Sequence, residues 1–174
     1  TNDVTNSKRR HADRYLKEIA RQAAVPVLRK DFTVDPYQIY EAKVLGASAV
    51  LLICSILSLE QLKEYLKLAR GLGLSALVET HDSREIDLAL EAGAGIIGVN
   101  NRNLQDFQVD VSNSLRLREL IPPGVLYVSE SGVRTRRDVE ILEQNGTDGV
   151  LIGETLMRSP DRQRTLRELK GGAG

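Results

Sequence analysis

The chain has 174 residues, with 24 Lys plus Arg against 24 Asp plus Glu and a hydrophobic fraction of 41%. That length holds one domain with a real core, and the zero formal charge argues against nucleic acid or an anionic membrane surface as the main partner. A small anionic ligand remains open, because a local cluster of donors needs no net charge. Trp is absent and aromatics are 4%, which disfavours a base-stacking surface. The single cysteine, Cys54, leaves no internal disulfide and suits a reducing compartment, and two histidines give no metal-ligand spacing. No apolar run reaches about 18 residues and no signal peptide opens the chain, so a cytoplasmic protein without membrane contact is expected.

Residues 1–11 are polar without period and read as a loop or frayed terminus. From Ala12 to Gln22, Tyr15, Leu16, Ile19 and Ala20 fall at helical spacing, ahead of a strand at Val25–Arg29. Asp35 and Pro36 open a helix that Gly46 closes after Leu45, followed by a strand at Ala49–Cys54. A capping box at Ser58 and Gln61 starts the next helix, which Gly71 and Gly73 end before a strand at Ala76–Glu79. Asp82 with Glu85 reads as a second capping box, and its helix ends at Gly93. Ile96–Asn100 is a strand, Asn101–Asp110 a polar loop, and Ser112 to Leu120 a helix stopped by Pro122 and Pro123. A strand at Val125–Ser129, a helix at Arg136–Asn145, a strand at Gly149–Ile152 and one last helix from Thr155 complete the pattern.

Strand then helix thus recurs at a period of roughly 25 residues, and the strands are continuous apolar runs, as in parallel sheets covered on both faces. The expected fold is α/β, with residues 12–170 as a single domain and 171–174 as a flexible tail. Two architectures fit: an open doubly wound sheet, or about six of the eight units of a (βα)8 TIM barrel. No G-x-G-x-x-G follows a strand, which counts against the dinucleotide-binding version.

The carboxyl ends of these strands carry the chemistry. They present Lys30, then Cys54 and Ser55, then Glu79, then Asn100 and Arg102, then Glu130 with Ser131 and Gly132, then Gly153 and Glu154. A lysine at one strand end is solvated, salt-bridged or a working acid. A Lys, two Glu and an Asn on one rim of a parallel sheet are costly to bury and mark a site. Ser131–Gly132 and Gly153–Glu154 end the last two strands, where glycine turns admit a phosphate.

The segments VPVLRKDF, DPYQIYEA, LVETH, IIGVNNRNL, VSESGV and VLIGETLMRSP, in order from about Ala12 to about Pro160, resemble indole-3-glycerol-phosphate synthase of tryptophan biosynthesis. The resemblance implies a complete (βα)8 barrel acting on a phosphorylated anion without metal or other cofactor. It casts Lys30 as general acid for ring closure and Glu79 as general base for dehydration, with Asn100 and Glu130 around the reacting centre. Phe32 and Leu51 then lie against the anthranilate ring, while Arg102 and Leu104 border the pocket. Ser131, Gly132, Gly153 and Glu154 hold the phosphate, Glu154 through its backbone amide. A buried Glu79 is expected to have a raised pKa. His81 is read as pointing elsewhere, and Asp31 as a structural partner below the strand mouth.

The family's first strand carries a further Lys and Glu in an EVKxxSPS-type motif, which does not occur here. An aromatic-x-Gly-Ser stretch expected before the Tyr15 helix is likewise replaced by Lys8–His11. A longer native protein, a self-assembling fragment and a non-catalytic remnant that keeps phosphate binding all stay open, as does a phosphoribosylanthranilate isomerase-like activity. Six strands leave two open edges, which favours self-association.

Overall fold

A computed structural model of the chain describes residues 13–102 and 109–172. Its sheet holds six parallel strands: β1 (Leu28–Arg29), β2 (Ala49–Ile53), β3 (Ser75–Thr80), β4 (Ile96–Asn100), β5 (Leu126–Glu130) and β6 (Gly149–Leu151). The helices are α1 (13–22), α2 (Tyr37–Val44), α3 (Leu59–Gly71), α4 (Ser83–Ala92), α5 (Ser112–Leu117), α6 (Arg136–Gln144), α7 (Glu154–Arg158) and α8 (Arg162–Leu169). The strands lie in chain order, each hydrogen-bonded to the next. That order decides between the two architectures. A doubly wound sheet reverses its strand order at a switch point, whereas a barrel wall only advances. The fold is an arc of a (βα)8 barrel, and among the described residues β1 pairs only with β2 and β6 only with β5.

The strands are apolar throughout because each face meets a different partner. Val50, Leu52, Val78, Ile97 and Val99 pack against Ile39, Leu62, Leu66, Ile86 and Ala89 of the helical layer. Their neighbours Leu51, Ile53 and Leu77 form a separate cluster with Leu28, Ile96, Val128 and Leu151. This second cluster is the barrel-side layer, as the two-residue period of a strand requires. Leu52, Val78 and Ile97 are fully buried, and each such side chain contributes about 1.5–3 kcal/mol.

Local signals held where they were strongest. Ser58 and Gln61 form both bonds of a capping box at α3, and Asp35 accepts from the Tyr37 backbone N–H at 2.8 Å at the start of α2. At α4 only half of the expected box forms. Asp82 accepts from the Glu85 N–H, but the Glu85 carboxylate turns to His81 instead. A complete capping box that the sequence reading passed over joins Thr135 and Asp138 at α6. β1 is shorter than expected because it is an edge strand and Pro26 has no N–H to offer. The single terminal helix is in fact two. Pro160 breaks it, and the Asp161 side chain restarts it by accepting from the Arg164 N–H at 2.9 Å.

One buried charge ties the edge strand to the helices. Arg29, 7% exposed, pairs with Glu41 at 2.8 Å and Asp13 at 3.2 Å, and donates to the Gln38 carbonyl. Asp31 lies at 3.7 Å from the same guanidinium, consistent with the structural part expected of it.

Candidate active site

The charged rim sits directly on the barrel-side apolar cluster, one step further along each strand. Leu77 is followed two residues later by Glu79, and Val128 by Glu130. The β4–β5 register sets Asn100 opposite Glu130, and the β2–β3 register sets Ile53 opposite Glu79. Lys30 follows β1 immediately. Its Nζ lies 3.0 Å from Glu79 Oε2 and 3.4 Å from Glu130 Oε2. Asn100 Nδ2 donates to Glu79 Oε1 at 3.1 Å. The four residues that the sequence places at separate strand ends therefore meet in one cluster. Gly98 makes room for it, since a Cβ there would fall on the Glu130 carboxyl group.

The two carboxylates are in opposite states. Glu130 is 1% exposed, and its oxygens take no hydrogen bond among the described residues. Burial, then the Glu79 charge, push it up to about 7, against the pull of Lys30. Burial also acts to raise Glu79, but the Asn100 hydrogen bond and the Lys30 charge outweigh it and hold Glu79 below the ordinary carboxylate range. The expected raised pKa of Glu79 is thus corrected: burial alone predicts it, and two donors reverse it. Glu130, more deeply buried, has Lys30 at 3.4 Å but no counterpart of the Asn100 hydrogen bond, and takes the upward shift. Burial disfavours the Lys30 ammonium, yet the charges of Glu130 and Glu79 leave it raised overall. At neutral pH the cluster holds a charged lysine and a charged Glu79, and Glu130 is the carboxyl that keeps its proton more readily.

One cavity adjoins the cluster and a second lies at the ends of β5 and β6. The first, of about 330 Å³, is lined by Lys30, Phe32, Leu51, Ile53, Glu79 and Asn100 among others, so Phe32 and Leu51 share a cavity with three members of the cluster. Phe32 is 64% exposed at its mouth, whereas Leu51 is buried in its floor. The second, of about 740 Å³, is lined by Arg102, Ser131, Gly132, Gly153 and Glu154, joined by Arg134 and Arg158. Ser131 and Gly132 both have left-handed backbones, at φ 68° and 88°. A side chain at Gly132 would also strike Val109 and Val111. The Glu154 carboxylate does not stand aside from this cavity: it pairs with Arg102 at 2.8 Å and Arg158 at 2.9 Å. Leu104 lies outside the described residues.

Two residues matter more than the sequence reading allowed. His81, expected to point elsewhere, brings Nε2 to 3.5 Å from Glu79 Oε1. Strand parity was the available signal, because residues 79 and 81 fall on the same side of an extended chain. Asn101 is 4% exposed and braces the rim from behind. It donates to Ser129 Oγ and to the Ser131 carbonyl, while its Oδ1 accepts from both the N–H and the hydroxyl of Ser114. Four hydrogen bonds from one amide lock β4, β5 and α5 together below the site. No sequence period marks such a residue.

Fold and site together define a barrel-type α/β protein with a lysine–carboxylate centre on its carboxyl-terminal rim, beside a basic cavity built on two glycine turns. The family described as indole-3-glycerol phosphate synthase matches residues 10–169, and the chain belongs to that family. It is 57% identical over 162 residues to the indole-3-glycerol phosphate synthase of Ruminiclostridium cellulolyticum, an alignment covering 93% of this chain and 62% of that protein. It is 58% identical over 156 residues to that of Leuconostoc mesenteroides, covering 90% of this chain and 60% of that protein. The chain therefore spans about three fifths of these relatives. Among solved structures, a mutant tryptophan synthase alpha-subunit from Pyrococcus furiosus matches with a TM-score of 0.71 at 20% identity, covering 93% of this chain and 73% of that one. That likeness concerns the fold alone. No helix among the described residues is long and apolar enough to cross a membrane.

Proposed function

We propose that this rim forms the greater part of the active site of a lyase that closes an indole ring. The substrate is 1-(2-carboxyphenylamino)-1-deoxyribulose 5-phosphate, and the products are indole-3-glycerol phosphate, CO2 and water. The single observation that carries the reading is Lys30, held 3.0 Å from Glu79 and 3.4 Å from Glu130 at the mouth of the apolar cavity. Membership of the family supports it.

In this reading the substrate's aromatic ring rests against Phe32 and Leu51, and its phosphate enters the basic cavity at Ser131, Gly132, Gly153 and Glu154. Arg102 faces the same cavity. Lys30 donates its proton to the carbonyl oxygen as the ring carbon attacks, and the aromatic amine supplies the electrons. Loss of CO2 restores the electron pair to the ring. Glu79, kept ionised by Asn100 and Lys30, then takes the proton from the carbon next to the hydroxyl-bearing one, while Lys30, charged again, protonates that hydroxyl so that it leaves as water. Glu130, pushed up to about 7 and 3.4 Å from Lys30, is the protonated carboxyl that returns Lys30 to its charged form.

Lys30→Ala tests the assignment. Ring closure, followed by indole absorbance in a form that turns over, is expected to fall by at least about 10²–10⁴-fold, the usual share of a general acid. Circular dichroism should be unchanged. Full activity in this variant refutes the role of Lys30. A second reading is phosphate binding without turnover, which the glycine turns and arginines lining the larger cavity support. Phosphate binding by an unaltered protein that shows no turnover supports that reading.

A further inference from the structure

We propose that His81 is a positioning residue for Glu79, its imidazolium holding the carboxylate ionised and turned toward Lys30. The proposal rests on the functional reading above for the task of Glu79, but its geometry stands independently.

The ring is fixed from both ends. The backbone N–H of His81 donates to Glu85 Oε2 at 2.8 Å, and its carbonyl accepts from Asn113 Nδ2 at 3.1 Å. Nδ1 lies 3.1 Å from the same Glu85 oxygen, so the proton on that nitrogen is committed to Glu85. The remaining nitrogen, Nε2, is buried without a hydrogen-bond partner and lies 3.5 Å from Glu79 Oε1. A neutral ring in this tautomer sets a lone pair against a carboxylate oxygen. A protonated ring sets an N–H there. The arrangement therefore favours the imidazolium whenever Glu79 is charged.

The surroundings agree. Glu79 from β3, Glu85 at the start of α4 and Glu130 from β5 all face the ring, and Lys30 is the cation on the far side of Glu79. The Glu85 hydrogen bond is the largest influence on His81; burial opposes it, and the three carboxylates leave the ring's pKa raised. Glu79 thus has two donors, Lys30 on Oε2 and Asn100 on Oε1, and the His81 ring stands 3.5 Å from Oε1 as a further cation. Without His81 the side chain would keep its two hydrogen bonds but lose a cation, and its proton affinity would rise.

Two measurements test this. The first needs no turnover: the His81 ring is titrated by NMR, with His11→Gln assigning the only other histidine. A midpoint above the ordinary 6.5, falling by about one unit in Glu79→Gln, is the expected result. A midpoint that Glu79→Gln does not move overturns the proposal. The second follows kcat against pH in His81→Asn. The acid limb should move up by about one pH unit, with rate recovered at higher pH and KM little changed. A uniform loss at every pH marks a purely structural residue and refutes it. Failure of the ring-closure reading appears instead as unaltered protein without turnover, and the NMR titration still decides the role of His81.

Discussion

Glu130→Gln is the most informative change to the charged rim, because it separates the site's electrostatics from its chemistry. In the folded chain Glu130 is raised from an ordinary 4.5 to about 7. Between those two values the folded state keeps a proton that the unfolded state has released. Stability from this group is therefore fully present below about 4.5 and is lost as pH rises through about 7. A displacement of that size corresponds to about 3 kcal/mol in full, most of it falling between pH 5 and 8. Lys30, still about two fifths exposed, keeps the figure from being larger. Glutamine has nearly the same shape and does not titrate, so the variant should lose this slope. Urea unfolding of both proteins at several values between pH 5 and 8 reads it directly. The unaltered chain should become less stable relative to the variant as pH rises. Parallel curves would mean that Glu130 is ionised throughout, and the account of the two opposed carboxylates would fail.

Three other changes test the packing around the site. Gly98→Ala places a methyl group on the Glu130 carboxyl, so a loss of about 1–3 kcal/mol in thermal unfolding and a displaced Lys30–Glu130 pair in a crystal structure are expected. Asn101→Ala leaves the buried Ser114 N–H without its acceptor and Ser129 without its donor; a loss of about 2–4 kcal/mol is expected by chemical denaturation. Gly132→Ala meets both a left-handed backbone and the Val109 and Val111 side chains, so phosphate binding measured by calorimetry should weaken by at least about tenfold.

Much of this protein is legible along the chain, and the reason differs with the feature. The central strands read correctly because an apolar run between glycine and capping signals has few other uses. Ile96–Asn100 matches residue for residue. Helix starts were legible where the capping residues act within one turn, as at Ser58 and Gln61. The rim residues Lys30, Glu79, Asn100 and Glu130 were legible because polar groups ending buried strands are expensive unless they serve a site.

Other features depend on partners far away in sequence, and only the tertiary structure decided them. The strand order that separates a barrel arc from a doubly wound sheet is a matter of which strands pair, and identical local patterns serve both. The acid–base states of Glu79 and Glu130 are set across strands: burial raises both, and only Glu79 gains the Asn100 hydrogen bond that reverses it. Asn101 and His81 gain their importance from contacts on α5, β5 and α4 that no periodicity announces. The amino-acid sequence by itself determined the elements, the side of the sheet that carries the polar groups, and the family. The folded arrangement determined which of those groups touch and which of them is left holding a proton, because Coulomb and hydrogen-bond energies depend on distances that exist only after the strands have come together.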